Sequence, residues 1–140
     1  MPSNRKLGKP TDQRLAMLRA MPNFEVFRPA DETETAAAWF AAVTSRKTPV
    51  AIILTRQNLP VLSCSSRDAL RGGYVLADSE KEIPDLILMA TGSEVALVLE
   101  ARKVLADRGI DARVVSMPCL ERFDRQSEEY RESNQITVRE

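Results

Sequence analysis

Two continuous apolar runs constrain the fold of this chain more than any other feature. They are Val50–Leu54 (VAIIL) and Leu86–Ala90 (LILMA), and neither run alternates apolar with polar residues. A strand that is covered by helices on both faces of a parallel sheet has this pattern. The runs therefore predict two buried parallel strands in an α/β protein.

A helix is predicted before the first run. Asp31 is placed to cap its free backbone N–H groups, and Glu34 lies three residues on, where it completes a capping box. The acidic group Asp31, Glu32 and Glu34 could also be considered as a metal site, but capping explains it better. The expected buried face of this helix consists of Ala36, Phe40 and Val43, with Trp39 beside it. A strand over residues 24–28 precedes it and makes a βαβ unit with the first run.

A second α/β pattern surrounds the other run. A short strand is predicted over residues 74–77, and Ser93 is a plausible N-cap for a helix that ends at Gly109. The expected buried stripe of that helix is Leu97, Val98, Ala101, Val104 and Leu105. Residues 113–117 predict another strand, a weaker helix covers Leu120 to Tyr130, and residues 136–138 could form one last short strand.

The chain therefore divides into two partial parallel-sheet α/β units joined by a linker. Residues 1–13 are expected to be a poorly ordered leader, followed by a first unit over 14–62 that begins with a short helix over 14–20. The turn-rich stretch from Asn58 to Gly73 is broken by Pro60 and closed by two glycines, and its part over 63–73 is assigned as the linker. The second unit covers 74–140.

Composition excludes several functions. The 20 basic and 20 acidic residues balance, so no basic excess favours nucleic acid or an anionic membrane. The chain has no histidine, so no imidazole is available to bind zinc or to activate a nucleophile. Cys64 and Cys119 are isolated, which favours reduced, buried thiols and a cytoplasmic protein. No apolar run approaches the roughly 20 residues that cross a bilayer.

One arginine is a candidate for anion binding. Arg56 lies in the segment T-R-Q-N, directly after the first apolar run, and ligands of open parallel sheets bind beyond the carboxyl ends of the strands. Its guanidinium could bind a phosphate through two hydrogen bonds, or it could tie the strand end to a neighbouring loop. Position and spacing leave both readings open. The turn at Thr91–Glu94 is better explained by helix capping than by an anion site, because it lacks the glycine spacing of a phosphate-binding fingerprint.

Several motifs, taken in order, resemble those of transketolases. They are FRPAD from Phe27 with ETA from Glu34, LTRQNLP from Leu54, GGYVL from Gly72, ATGSEV from Ala90 and RVVSMP from Arg113. The resemblance extends from about Leu15 to Ser133. It is specific, because several motifs match in register.

The resemblance implies an enzyme of the pentose phosphate pathway, a transferase that uses thiamine diphosphate and Mg²⁺ to move a two-carbon ketol unit between sugar phosphates. It implies that residues 14–62 are the end of the pyrimidine-binding domain and that residues from 73 onward begin the C-terminal domain. Arg56 then corresponds to the arginine that contacts the substrate phosphate. Asp12 stands where the family has a substrate-contacting histidine, and a carboxylate there would repel a phosphate.

The same resemblance implies what this chain alone does not supply. The family's cofactor-binding domain and its catalytic glutamate have no counterpart in the 140 residues. We therefore expect no catalytic, metal or cofactor-binding residue in this chain, and a sugar phosphate only in an assembled site. Each partial unit is expected to expose apolar surface, which predicts a homodimer or a complementary transketolase-like chain. The alternative is a non-catalytic interaction module or the product of a truncated gene.

Overall fold

A computed structural model describes residues 10–135 and shows an α/β fold with two small sheets. Residues 1–9, in the predicted leader, and the predicted strand at 136–138 lie outside the described residues. In chain order the elements are α1 (Pro10–Arg19), β1 (Glu25–Phe27), α2 (Glu32–Thr44), β2 (Val50–Ile52), a 3-10 turn (Arg67–Arg71), β3 (Tyr74–Ala77), β4 (Leu86–Ala90), α3 (Glu94–Ala106), β5 (Ala112–Ser116), α4 (Leu120–Asp124) and α5 (Glu128–Gln135).

The first unit is a parallel pair of strands with α2 as the crossover. β1 and β2 pair in register from Glu25 with Val50 to Phe27 with Ile52, as the βαβ pattern predicts. The expected buried face of α2 is wrong, because Phe40 is 57% exposed and Val43 is 71% exposed. The buried residues of α2 are instead Glu34, Ala37, Ala38 and Ala41. Alanines allow this helix to lie close to its neighbours, and the larger side chains are left outside.

The second unit is a three-stranded sheet in the order β3-β5-β4. β4 and β5 are parallel and connected through α3, as predicted, whereas β3 runs antiparallel to β5 with an irregularity between Val75 and Ala77. The connection from β3 to β4, over residues 78–85, contains no helix, so β3 is not part of the parallel crossover that α3 makes between β4 and β5. The predicted stripe of α3 is also wrong in part, since Leu97 and Val104 are exposed and Val95 is buried.

The predicted linker is packed against both units. Its 3-10 turn buries Ala69 completely, and Gly72 ends the turn in the left-handed conformation. One core cluster contains buried residues from the first unit, from the linker and from the second unit: Ala30, Ala37, Ala69, Tyr74, Leu76, Val95 and Val114. The two units therefore share a core.

Both apolar runs are less buried than their sequence predicts. β2 is half-buried along its length, and Leu54 beyond it is 59% exposed. In β4, Met89 is 54% exposed. Each of these strands pairs on one side only, so its other edge has no strand partner among residues 10–135. No helix in that range is both long enough and apolar enough to cross a membrane.

Candidate functional site

A cleft of about 260 Å³ lies where the carboxyl ends of β1 and β2 meet the start of α3. Its lining includes Arg28 after β1, Leu54 and Thr55 after β2, and Ser93 and Glu94 at the start of α3. A backbone hydrogen bond joins the two units here: Gly92 N–H donates to the Arg28 carbonyl at 3.0 Å. The cleft is therefore at the edge where ligands of parallel sheets bind.

The charges that line the cleft neutralise each other. The guanidinium of Arg28 donates to the Glu94 carboxylate at 3.2 Å, and the two side chains are 23% and 53% exposed. Ser93 occupies the N-cap position of α3, as predicted, but its side chain makes no capping hydrogen bond. The cleft thus has no surplus positive charge among its lining residues.

The structure places Arg56 beyond β2, on an exposed loop next to this edge. Its guanidinium makes no hydrogen bond or ion pair with any other residue in the described range 10–135. The turn around it is held by the Thr55 hydroxyl, which accepts the Gln57 N–H at 3.2 Å. Arg56 is not among the residues that line the cleft. The alternative reading, in which Arg56 ties the strand end to a neighbouring loop, has no contact to support it in the described part of the chain.

The acidic residues at the start of α2 form the predicted capping box. Asp31 Oδ1 accepts the Glu34 N–H at 3.0 Å, and Glu34 Oε2 accepts the Ala30 N–H at 2.7 Å. Capping therefore accounts for Asp31 and Glu34. No three Asp, Glu, Cys or His side chains within residues 10–135 are placed to hold a metal ion.

Glu34 also makes contacts that the sequence pattern does not predict. Its Oε1 accepts hydrogen bonds from Tyr74 Oη at 2.9 Å and from Ser116 Oγ at 2.6 Å, so this fully buried carboxyl joins α2 to the second sheet. Burial raises the pKa of Glu34 above its ordinary value, and the nearby Asp31 acts in the same direction. A glutamate inside a capping box gives no local signal of such a role, because its partners lie far along the chain.

The two cysteines differ in exposure. Both are free thiols, and Cys119 is fully buried as predicted, but the prediction of burial is wrong for Cys64, which is exposed. Burial raises the pKa of the Cys119 thiol to about 12. Cys119 is therefore a poor nucleophile while it is buried, which agrees with its interpretation as a structural residue.

The fold and the cleft together define an α/β protein whose candidate ligand site lies where its two units meet. We call this place, beyond the carboxyl ends of β1 and β2, the ligand edge. Comparison with known proteins matches residues 12–61 to the transketolase pyrimidine-binding domain and residues 72–135 to the transketolase-like C-terminal domain. The transketolase of Bacillus subtilis is 52% identical over 127 residues, which cover 88% of this chain and 19% of that protein.

Solved structures agree with these matches. The transketolase of Pichia stipitis in complex with sedoheptulose-7-phosphate has 51% sequence identity and a TM-score of 0.81, and the match covers 86% of this chain and 18% of that one. A split-gene transketolase described as an inactive beta4 tetramer has 36% identity and a TM-score of 0.60, over 76% of this chain and 34% of that one. The chain belongs to the transketolase family and corresponds to the end of the pyrimidine-binding domain and the start of the C-terminal domain. It spans less than a fifth of the length of the Bacillus subtilis relative.

Proposed function

We propose that this chain contributes the phosphate-binding arginine of a transketolase site, and that another polypeptide completes the site. Arg56 is the residue that binds the phosphate of the sugar substrate. The reaction of the assembled site is the transfer of a two-carbon ketol unit between sugar phosphates, within the pentose phosphate pathway of the cytoplasm. This chain alone does not catalyse it.

The observation that carries this proposal is the state of Arg56. Its guanidinium is exposed at the ligand edge and makes no ion pair or hydrogen bond with the other described residues, so its charge is available to an anion. Its position distinguishes Arg56 from other exposed arginines, because it follows the carboxyl end of β2, where ligands of parallel sheets bind. The solved complex of the Pichia stipitis enzyme with a sugar phosphate supports this class of ligand.

We further propose that thiamine diphosphate and Mg²⁺ do not bind to this chain alone. The residues in the range 10–135 do not fit the coenzyme, because they bring together no three carboxylates, thiols or imidazoles for its metal ion. The carboxylate at the cleft, Glu94, is already paired with Arg28. Calorimetric titration of the 140-residue chain with the coenzyme and Mg²⁺ should show no saturable heat, whereas tight binding would contradict the proposal.

The role of Arg56 can be tested in a chimera. The matching segment of the Bacillus subtilis transketolase, which is 52% identical, would be replaced by this sequence. Substitution of Arg56 by leucine should raise the KM for fructose 6-phosphate at least tenfold, which is the loss of about 1.4 kcal/mol expected for one charged hydrogen-bonding partner. The KM for fructose, which has no phosphate, should not change.

Arg46 provides the matched control, because it is also exposed in the first unit and precedes β2 rather than following it. Arg46→Leu should leave both KM values unchanged. If Arg56→Leu weakened the binding of fructose and of fructose 6-phosphate equally, Arg56 would not be the phosphate ligand.

The second candidate is an interaction module without catalysis. An apolar groove of about 690 Å³ lies along α2 and is lined by Ala36, Ala37, Phe40 and Leu70. The partner that we propose is a second copy of the chain or a complementary transketolase-like chain, and the split-gene relative described as a beta4 tetramer supports this class of partner. Sedimentation equilibrium should show self-association of the chain that Phe40→Ser weakens. A strict monomer with a sharp, concentration-independent thermal transition would contradict self-association.

A further inference from the structure

The contact between the two units contains a buried carboxyl group that the proposed catalytic role does not use. Glu34 in α2 is fully buried and receives hydrogen bonds from Tyr74 in β3 and Ser116 in β5. Its third donor is the Ala30 N–H of its own unit. Glu34 therefore touches both units, and separation of α2 from the second sheet would break two of its three hydrogen bonds.

No basic side chain is paired with Glu34 in the described part of the chain. The charged group that acts on Glu34 from the same end of α2 is the N-cap Asp31, whose Oδ2 accepts hydrogen bonds from Leu62 N–H at 3.2 Å and from the linker residue Ser65 through Oγ at 2.5 Å. Tyr74 is the titratable group that faces Glu34 from β3, and the group from β5 is the neutral hydroxyl of Ser116. An ionised Glu34 would thus be a buried charge without a counter-ion. Its hydrogen bonds from Ser116, Ala30 and Tyr74 favour the anion, but they offset only part of the cost of desolvation, which has the largest effect on the pKa.

A protonated Glu34 fits the same geometry. The proton on Oε1 can be donated to the Ser116 hydroxyl, which rotates to accept it, while Oε2 still accepts the Ala30 N–H. The closed contact therefore holds the neutral acid better than the anion. The raised pKa of Glu34 in the folded chain has the same cause, since desolvation is its largest contribution.

We propose that Glu34 is a proton-linked latch, in which the protonated carboxyl holds the two units together and loss of the proton favours their separation. The closed contact binds the proton more tightly than the open one. The stability that the proton adds to the closed contact is therefore fully present below pH 4.5, the ordinary pKa of a glutamate. That stability is lost as the pH rises through the higher pKa of the closed form. Between these two values the open population should rise with pH, by at most about tenfold per pH unit because one proton is involved.

Cys119 provides a reporter for the opening. It is fully buried in a cluster with Phe27, Ala38 and Ala41 of the first unit, so a reagent reaches its thiol only when the units separate. Cys64 is exposed in the same molecule and serves as the internal reference for the pH dependence of thiol reactivity. A pyridyl disulfide forms a mixed disulfide with each thiol and releases a pyridinethione. Peptide mass spectrometry then gives the ratio of the Cys119 rate to the Cys64 rate.

The decisive comparison is between the unmodified chain and Glu34→Gln. The glutamine amide can donate to Tyr74 and Ser116 while its oxygen accepts the Ala30 N–H, so it imitates the protonated acid and cannot ionise. The rate ratio of the unmodified chain should rise with pH above 4.5, by at most about tenfold per pH unit, and then level off, whereas that of Glu34→Gln should stay constant. Glu32→Gln, an exposed position in the same helical turn, should behave like the unmodified chain.

A constant rate ratio in the unmodified chain, or an equal rise in Glu34→Gln, would overturn the latch. Far-UV circular dichroism should stay constant over the same pH range, and a parallel loss of helical signal would mean global unfolding and would also contradict the proposal. If Glu34→Gln does not fold, Tyr74→Phe gives the second comparison. It removes a hydroxyl that donates to Glu34 and lowers its pKa, so the rise should continue to a higher pH, and an unchanged profile would refute the proposal.

Discussion

Gly72 offers the sharpest test of how the linker is packed. It adopts φ = +93° at the end of the 3-10 turn, and its carbonyl accepts the Cys119 N–H at 2.9 Å. A Cβ atom added there would overlap the Cys119 carbonyl oxygen and the Phe123 nitrogen, which are both backbone atoms and cannot rotate away. The substitution Gly72→Ala therefore combines backbone strain with a steric clash between the linker and the start of α4.

The magnitude can be worked out by comparison with Gly109. Gly109 has a similar φ of +77°, but a Cβ added there would meet no atom within 4 Å. Gly109→Ala should cost only the left-handed strain, about 1–2 kcal/mol. Gly72→Ala should cost that strain and a further 1–3 kcal/mol, roughly, for overpacking. The effect of alanine on the unfolded chain is the same at both sites and cancels in the difference.

Urea unfolding measures both variants. Fluorescence of Trp39, the single tryptophan, and far-UV circular dichroism report the transition. With a slope of about 2 kcal/mol per molar urea, the midpoint of Gly72→Ala should lie roughly 0.5–1.5 M below that of Gly109→Ala. Equal midpoints for the two variants would show that the linker is not packed on α4 as described, and the reasoning would be refuted.

Substitutions at the buried residues Ala38 and Glu25 test the contact between the units, and Ala36→Leu is the control for the first. Ala38→Leu should lower the unfolding free energy by about 1–3 kcal/mol, because Ala38 is fully buried, whereas Ala36→Leu on the exposed side should change it by less than about 0.5 kcal/mol. Thermal unfolding compares them, and equal effects would contradict the assigned face of α2. Glu25→Gln should cost about 1–3 kcal/mol, since Glu25 is 3% exposed and accepts from Arg122 Nε at 2.8 Å. Its destabilisation should persist in high salt, and complete suppression by salt would contradict the burial of the pair.

Local patterns predicted most of the elements of this fold. The segments 74–77 and 86–90 form strands with the predicted bounds, and α2 begins directly after the predicted cap at Asp31. These signals depend on neighbours in sequence, such as a capping side chain or an uninterrupted apolar run. α1 begins at Pro10 rather than at residue 14, because proline is tolerated in the first turn of a helix.

The faces of the helices could not be predicted in the same way. Periodicity favoured the largest apolar residues of α2 as its buried side, but the contacts with the first sheet and with Cys119 are made by alanines such as Ala38 and Ala41. Which side of a helix is covered depends on the distance to the neighbouring sheet, and that distance is set by residues far along the chain. Phe40 remains outside because no described element packs over it.

Position in the sequence predicted that Arg56 follows the first apolar run, and the structure shows it exposed beyond β2 but outside the lining of the cleft. The sequence did not indicate that Glu94 and Arg28 pair across the cleft, since 66 positions separate them. Glu34 shows the same limit. Its capping role is local and was predicted, while its hydrogen bonds to Tyr74 and Ser116 span 40 and 82 positions.

The boundary at residues 63–73 does not divide the hydrophobic core. A two-stranded sheet is at best marginally stable by itself, and a three-stranded one needs an apolar face that something covers. Here the cover comes from the other unit: Ala30 and Ala37 of the first lie in one cluster with Leu76 and Val114 of the second. The boundary therefore separates two family domains that cover each other's apolar surface while the contact is closed. It follows that urea unfolding below pH 4.5, where the latch is closed, should be a single cooperative transition, and that Gly72→Ala should destabilise both units together.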